Sequence, residues 1–350
     1  MDKQRANAFM SRLVGDVATT LAATLLLVGD RLQLFRAMAD AGPLSPAGLA
    51  ERAGIAERYA EEWLAVMAGA GYVDLDPATG AFTLPPEHAQ FLIDPNSEYY
   101  LAGLFRGLPT MAAALPALTE AFKSGGGLPF EAYGAELPEA LAAMNRSVYN
   151  NRLARDWLPK VPGLVERLAA GGRALDIGCG AGVVPIAIQR AFPQAQVMGI
   201  DTDRRSIELA RAAAQAATLT VQLETMGVED IPTEPGWDFI STFDVIHDLP
   251  DPPAALRRIR QALAPGGTYL MVEPKVSDQL HENLANPFAR MLYGISCLHC
   301  VPQSLALGGP GLGACWGERR ARALAQEAGF GAFDRLDIRS PALAFYALQT

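Results

Sequence analysis

Apolar residues recur at helical spacing over residues 6–28, a stretch rich in Ala, Leu and Thr, and predict a long first helix. A second helix is predicted from Arg31 to Ala39. Ser45 followed by Pro46 marks the start of a third, with Ser45 as the N-cap, and Gly54 closes it. A fourth runs from Glu57 to Ala70 and stops at Gly71. The pattern then shortens to a hairpin: Tyr72 to Leu75, a turn at Asp76-Pro77-Ala78-Thr79-Gly80, and Ala81 to Leu84. Helices followed by a hairpin are the order of a winged helix. Residues 87–150 read as mixed helix and loop, with a flexible connection at Gly125-Gly126-Gly127 and a linking helix from Glu139 to Leu158.

From residue 173 short apolar runs alternate with helical stretches. Strands are predicted at Arg173 to Ile177, Ala195 to Ile200, Thr220 to Glu224, Phe239 to Phe243, Thr268 to Glu273 and Phe345 to Leu348. Helices are predicted from Val183, from Ser206, over Pro253 to Leu263 and over Arg319 to Ala328. This alternation predicts an α/β domain with a mostly parallel sheet, an antiparallel last strand, and helices on both faces.

The first of these strands stops at three alternating glycines, Gly178, Gly180 and Gly182. A strand, a tight glycine turn and a helix bring backbone N–H groups and a helix N-terminus against a ligand. A dinucleotide site wants Gly-x-Gly-x-x-Gly, but its third glycine position is Val183 here, and Asp176 stands inside the strand end. The Asp-x-Gly-x-Gly-x-Gly form resembles the first motif of the class I S-adenosylmethionine (SAM) methyltransferases. That cofactor carries an ammonium-bearing methionine tail, which suits the Asp176 carboxylate. The next strand ends at Asp201, about 20 residues on, where an acid hydrogen-bonds ribose hydroxyls; Asp203 is the alternative. After the third strand, Met226 and Gly227 occupy the place where many relatives put an acid for the adenine, so an apolar and backbone contact is expected.

The resemblance extends through Val245-Ile246-His247-Asp248-Leu249-Pro250-Asp251, Pro265-Gly266-Gly267 and Met271-Val272-Glu273-Pro274. These runs are similar to the small-molecule O-methyltransferases with a winged-helix N-terminal domain. The resemblance implies a Rossmann-like SAM methyltransferase domain with a mostly parallel seven-stranded sheet, preceded by an α-rich winged-helix domain. It also implies that His247, in the place of that family's histidine, is the general base, with Asp248 beside it and Glu273 orienting it. A histidine suits the removal of a hydroxyl proton near neutral pH, and a carboxylate on its other nitrogen fixes the tautomer. The bland alternative is a His-Asp pair that only caps the loop after the fourth strand. A further acid expected before the final helix falls at about Cys315, with Glu318 three residues on.

Asn286-Pro287-Phe288, Tyr293, Cys297-Leu298-His299-Cys300 and Val301-Pro302 resemble a less characterised mycobacterial-type group of winged-helix methyltransferases. An insert over residues 275–314 is expected to cover the substrate, with Phe288, Met291 and Tyr293 lining an apolar cavity. Tyr149, on the linking helix, faces cofactor or substrate, or merely packs between domains; Phe243, at the fourth strand's end, is assigned to the cofactor. Cys297, His299 and Cys300 lack a standard zinc spacing, and the expectation is no metal.

Length and charge narrow the partners. At 350 residues, with half of them apolar, two domains are expected: a winged-helix and dimerisation domain over 1–95, a helical linker and lid over 96–160, and the SAM domain over 161–350. The net charge of -9, and a would-be recognition helix bearing Glu57, Glu61 and Glu62 against Arg58, argue against nucleic acid. Leu13 to Gly29 resembles a targeting or membrane segment but contains Asp16, and no membrane role is expected. Four cysteines without a framework fit a reducing cytoplasm. The expected function is methyl transfer to a small, partly apolar molecule, at oxygen, by a homodimer. The alternatives are C-, N- or S-methylation without a general base, a SAM-sensing regulator on DNA, and an NAD-dependent oxidoreductase.

Overall fold

The structure is a computed structural model that describes residues 1–350. Its chain divides into two compact units, one of Met1–Gly107 with Ala143–Val148, the other of Leu108–Ala142 with Tyr149–Thr350.

The first unit opens with α1 (Lys3–Arg31), started by Asp2, whose side chain accepts from the Arg5 N–H. Gln33 then takes a left-handed backbone (φ 56°), so the predicted second helix shortens to α2 (Leu34–Met38). Next come α3 (Pro46–Ala53) and α4 (Glu57–Gly69). Ser45 caps α3 as expected, accepting from the Gly48 N–H at 3.1 Å. The wing is β1 (Asp74–Asp76) paired antiparallel with β2 (Ala81–Thr83), and Leu44 bridges to Phe82 beside it. Leu26, Leu34, Phe35, Leu49, Trp63, Leu64 and Met67 form the unit's apolar core. A buried polar clasp joins the two ends of this unit: Arg106 donates to Asp30 at 2.9 Å and the Tyr100 hydroxyl donates to it at 2.8 Å. The short α5 (Pro86–Leu92) follows the wing.

By length and composition α1 is apolar enough to cross a membrane, and 28% of its most apolar window is buried. Its outer face carries Phe9, Met10, Leu13, Val14, Val17 and Leu21, all exposed, together with Asp16 paired to Arg12.

In the second unit α6 (Leu108–Ala113) and α7 (Leu115–Ser124) precede α8 (Leu137–Arg152), part of which belongs to the first unit. The predicted linking helix does not run on to Leu158. At Arg152 it widens into a π-turn, Leu153–Trp157, that buries Leu153 and Trp157. After α9 (Leu164–Ala169) the sheet begins: β3 (Arg173–Ile177), α10 (Val183–Ala191), β4 (Gln196–Asp201), α11 (Arg204–Ala216), β5 (Gln222–Thr225), β6 (Trp237–Phe243), α12 (Pro252–Ala262) and β7 (Leu263–Pro274). The insert supplies α13 (Leu280–Asn283), α14 (Pro287–Ile295) and α15 (Val301–Ala306). The chain closes with α16 (Gly317–Glu327), β8 (Ala332–Arg335) and β9 (Leu343–Gln349).

The sheet has seven strands in the order β5-β4-β3-β6-β7-β9-β8. The first five are parallel, and β9 pairs antiparallel with both β7 and β8. The strand order reverses between β3 and β6, the kind of switch point at whose carboxyl ends open α/β sheets take ligands in a crevice. Two strand expectations change. The chain Leu263 to Gly267, read as a helix end and turn, is already extended, joined to β6 through a register irregularity at Trp237/Phe239. The seventh strand, β8, is a four-residue edge strand with only Phe333 buried, too short to show alternation in the sequence.

Candidate active site

The glycine turn joins β3 to α10. Gly178 has φ +67°, and a Cβ there would meet Val245 Cγ2 at 2.5 Å; Gly182 has φ +79°, with Ala210 Cβ at 2.8 Å from the same imagined atom. These two positions therefore need glycine both for conformation and for space. Asp201, at the end of β4, holds the turn. One carboxylate oxygen accepts from the Gly180 N–H and the other from the Asp203 N–H, each at 2.8 Å. Each oxygen keeps a lone pair, so the carboxylate can still accept from a diol. Asp203 is instead the N-cap of α11, accepting from the Ser206 N–H at 2.7 Å.

Asp176 is buried one residue before the end of β3 and accepts from the Ser241 hydroxyl at 2.6 Å. Burial pushes its carboxyl up to about 8, against the pull of that hydrogen bond, and Asp201 adds repulsion. Met226 is half-buried and its N–H donates to the Asp201 carbonyl at 3.0 Å. Beside it, the Glu229 carboxylate folds into the space that a side chain at Gly227 would fill. Glu229 is an exposed acid that no motif spacing singles out.

The second half of the site lies at the ends of β6 and β7. Glu273, on β7, accepts three hydrogen bonds: from His247 Nδ1 at 2.6 Å, from Trp316 Nε1 at 3.0 Å and from the Ile246 N–H at 3.2 Å. His247 is 1% exposed and Glu273 2%. With Glu273 accepting at Nδ1, Nε2 is the ring nitrogen that faces Asp248. Burial opposes the imidazolium, but the Glu273 and Asp248 carboxylates outweigh it, so His247 is held well above the ordinary imidazole range. Asp248 Oδ1 stands 3.4 Å from Nε2 without the geometry of a hydrogen bond, and it is buried with no other partner.

Cys300, from the π-turn Ser296–Cys300 of the insert, completes this group. The donor atoms of His247, Asp248 and Cys300 all lie within 4.8 Å of one another. Burial pushes the Cys300 thiol up to about 12, with Asp248 adding to it, so the sulfur keeps its proton. A metal shared by these three would need that proton removed. Within the Cys297/His299/Cys300 run, Cys297 is exposed whereas His299 and Cys300 are buried. His299 is buried against Tyr133 and Phe130, with ring centroids at 5.0 and 5.8 Å, and burial drives it toward its neutral form.

Tyr149 is buried between Phe243, at 5.1 Å, and Trp157, at 5.6 Å, and its hydroxyl donates to Asp244 Oδ2 at 3.4 Å. These contacts place it at the carboxyl end of β6, within the second unit. Phe288 and Tyr293 sit half-buried on α14, and the Tyr293 hydroxyl accepts from Asn283 at 2.9 Å, a bond internal to the insert. Met291 is exposed. Three members of the site are not legible from motif spacing: Trp316, Cys300 in its role beside His247, and Asp244. Only Asp244 leaves a trace in the chain, as the first acid of Asp244-Val245-Ile246-His247-Asp248.

Residues 149–330 match the family described as methyltransferase domain, and residues 20–93 match the Rv2258c-like winged HTH domain. The ubiquinone biosynthesis O-methyltransferase of Bordetella avium is 29% identical over 119 residues, 33% of this chain and 47% of that protein. The chain thus spans about half the length of the curated relatives it matches. Among solved structures, the mitomycin 7-O-methyltransferase superposes with a TM-score of 0.68 at 20% identity, covering 99% of this chain and 100% of that one. Human N-acetylserotonin methyltransferase in complex with SAM gives 0.66 at 18%, covering 97% of each. At these identities the structures show the shared fold.

Proposed function

The chain belongs to the methyltransferase-domain family, whose methyl donor is SAM, and on that premise we propose that it methylates an oxygen of a small, partly apolar molecule. Asp176, Gly178, Gly180, Gly182 and Asp201 hold the cofactor in this reading, with Met226, Gly227 and Phe243 against it and Glu229 in reach of the adenine. SAM supplies the electrophilic methyl group. The protein's own task is to place the nucleophile in line and to receive its proton.

His247 receives that proton at Nε2. The observation that carries the assignment is the 2.6 Å contact of Nδ1 with a buried Glu273, itself fixed by Trp316 and the Ile246 N–H. This arrangement sets the tautomer and stabilises the imidazolium that forms. A carbon or thiolate nucleophile has less use for such a pair, which favours oxygen. Asp248 and Cys300 flank the imidazole on the side away from Glu273. The insert over 275–314, with Phe288 and Tyr293, covers the substrate, and Tyr149 shapes the inner wall of the crevice.

The exposed apolar face of α1 fits a second copy of the chain, making a homodimer, and the charged α4 suits this domain to assembly instead of DNA. Arg58, the one cation of α4's first turns, is occupied by Glu61 and Glu62. Four free cysteines, two of them buried, fit the cytoplasm. A metabolite screen with labelled SAM identifies the acceptor. With that acceptor, His247→Ala is expected to lower turnover about 10²–10⁴-fold while SAM affinity holds. Turnover that survives the substitution removes His247 from the base role.

A further inference from the structure

Asp244 follows β6 directly and takes a left-handed backbone, φ 57°, unusual for a residue with a side chain. One of its oxygens, Oδ2, accepts from Tyr149; the other, Oδ1, is sealed from solvent with no hydrogen-bond partner. Burial pushes the carboxyl up to about 7, with Glu273 adding repulsion and His247 relieving it. Leaving such an acceptor unpaired is costly, and a buried carboxylate is retained where a cation arrives to meet it.

The neighbourhood identifies the cation. The next residue, Val245, packs on Gly178 of the glycine turn, and His247 is three residues on. Tyr149, which binds Asp244, also feels the charges of Asp176 and Glu273. Asp244 thus follows the strand that pairs with the one carrying Asp176, and precedes His247 by three residues. In an in-line transfer the positively charged sulfur would lie between the group holding the ammonium and the group taking the substrate's proton. His247 is the basic side chain whose charge Asp244 feels, and Glu273 already pairs with it.

We propose that Asp244 is the counter-ion of the SAM sulfonium, and that it sets the preference of this site for SAM over the uncharged sulfur of S-adenosylhomocysteine (SAH). The inference rests on the SAM-binding reading of the crevice. Its consequence is directional. The carboxylate draws in the charged donor, and once the methyl group has left, the attraction is gone and the product is released. Tyr149 steadies the carboxylate through Oδ2 and leaves Oδ1 for the sulfur.

Titration calorimetry of SAM and of SAH, on the wild-type chain and on Asp244→Asn, tests this without any acceptor substrate. The wild type is expected to bind SAM on the order of tenfold more tightly than SAH. In Asp244→Asn the two affinities are expected to converge through loss of SAM affinity, with SAH nearly unchanged. Equal affinities in the wild type, or SAH the tighter, overturn the proposal even if the variant fails to fold. So does a variant that weakens both ligands alike or neither. A wild-type chain that binds neither compound defeats the cofactor reading itself, and this inference with it.

Discussion

His247 shows how a site is tuned by neighbours that differ in reach. Glu273 touches it at 2.6 Å, whereas Asp248 faces it without bonding. Both carboxylates favour the imidazolium, so the free base forms only at a pH above the ordinary imidazole range. Turnover is accordingly expected to rise from neutral into alkaline pH. Glu273→Gln removes the larger charge, and its pH–rate profile is expected to shift toward acid with a lower plateau; an unshifted profile would separate Glu273 from the titration of His247. In the first unit the buried residue that matters most is Asp30, with Arg106 and Tyr100 both donating to it. Arg106 is partly exposed, so the pair is screened on one side. Asp30→Asn is expected to cost about 1–3 kcal/mol, read by denaturant unfolding. A variant as stable as the wild type would make the clasp incidental.

At the scale of elements, the glycine turn and α1 carry the clearest expectations. Gly178→Ala forces a side chain into Val245 at a positive φ, and Val245 leads directly to Asp244 and His247. The variant is expected to keep its fold, because the turn lies beyond the strand ends, yet to lose SAM binding measured by calorimetry. Undiminished affinity would place the cofactor elsewhere. The α1 helix shows six large apolar residues to solvent over residues 9–21, a surface greater than scattered exposure accounts for. Leu13→Asp with Val17→Asp is expected to convert a dimer to a monomer in sedimentation or light scattering; a wild-type monomer rejects the dimer outright. The π-turns after α8 and α14 are likewise elements with consequences. The first sets Trp157 behind Tyr149, and the second delivers Cys300 to His247.

At the scale of the molecule, the ends of β3 and β6 carry acids whose proton affinity is raised by burial. Asp176 is pushed up to about 8 and Asp244 to about 7, against an unfolded value near the ordinary carboxylate range. Between those limits the folded chain binds more protons than the unfolded one. Its stability is therefore fully present at acid pH and declines as pH rises toward 8. His247, raised as well, acts in the same direction above the ordinary imidazole range. The melting temperature of the free protein is expected to fall from pH 5.5 to 8.5, and Asp176→Asn with Asp244→Asn is expected to flatten that slope in thermal melts. An equally steep slope in the double variant would assign the effect to other groups. The sequence alone determined the parts whose information is local. Three spaced glycines, an acid at a strand's end, an N-cap before a proline and a turn between alternating runs each carry their geometry within a few residues. Those signals placed Gly178, Asp201, Ser45 and the wing, and they brought the winged-helix and Rossmann-like order into view. Only the tertiary structure decided what meets across the fold. Trp316 reaches Glu273 over 43 positions, Cys300 arrives from an insert, Glu229 folds back over Gly227, and one oxygen of Asp244 is left without a hydrogen bond. No spacing in the chain encodes such contacts, because they depend on where separate elements come to rest after the sheet and its two faces have packed.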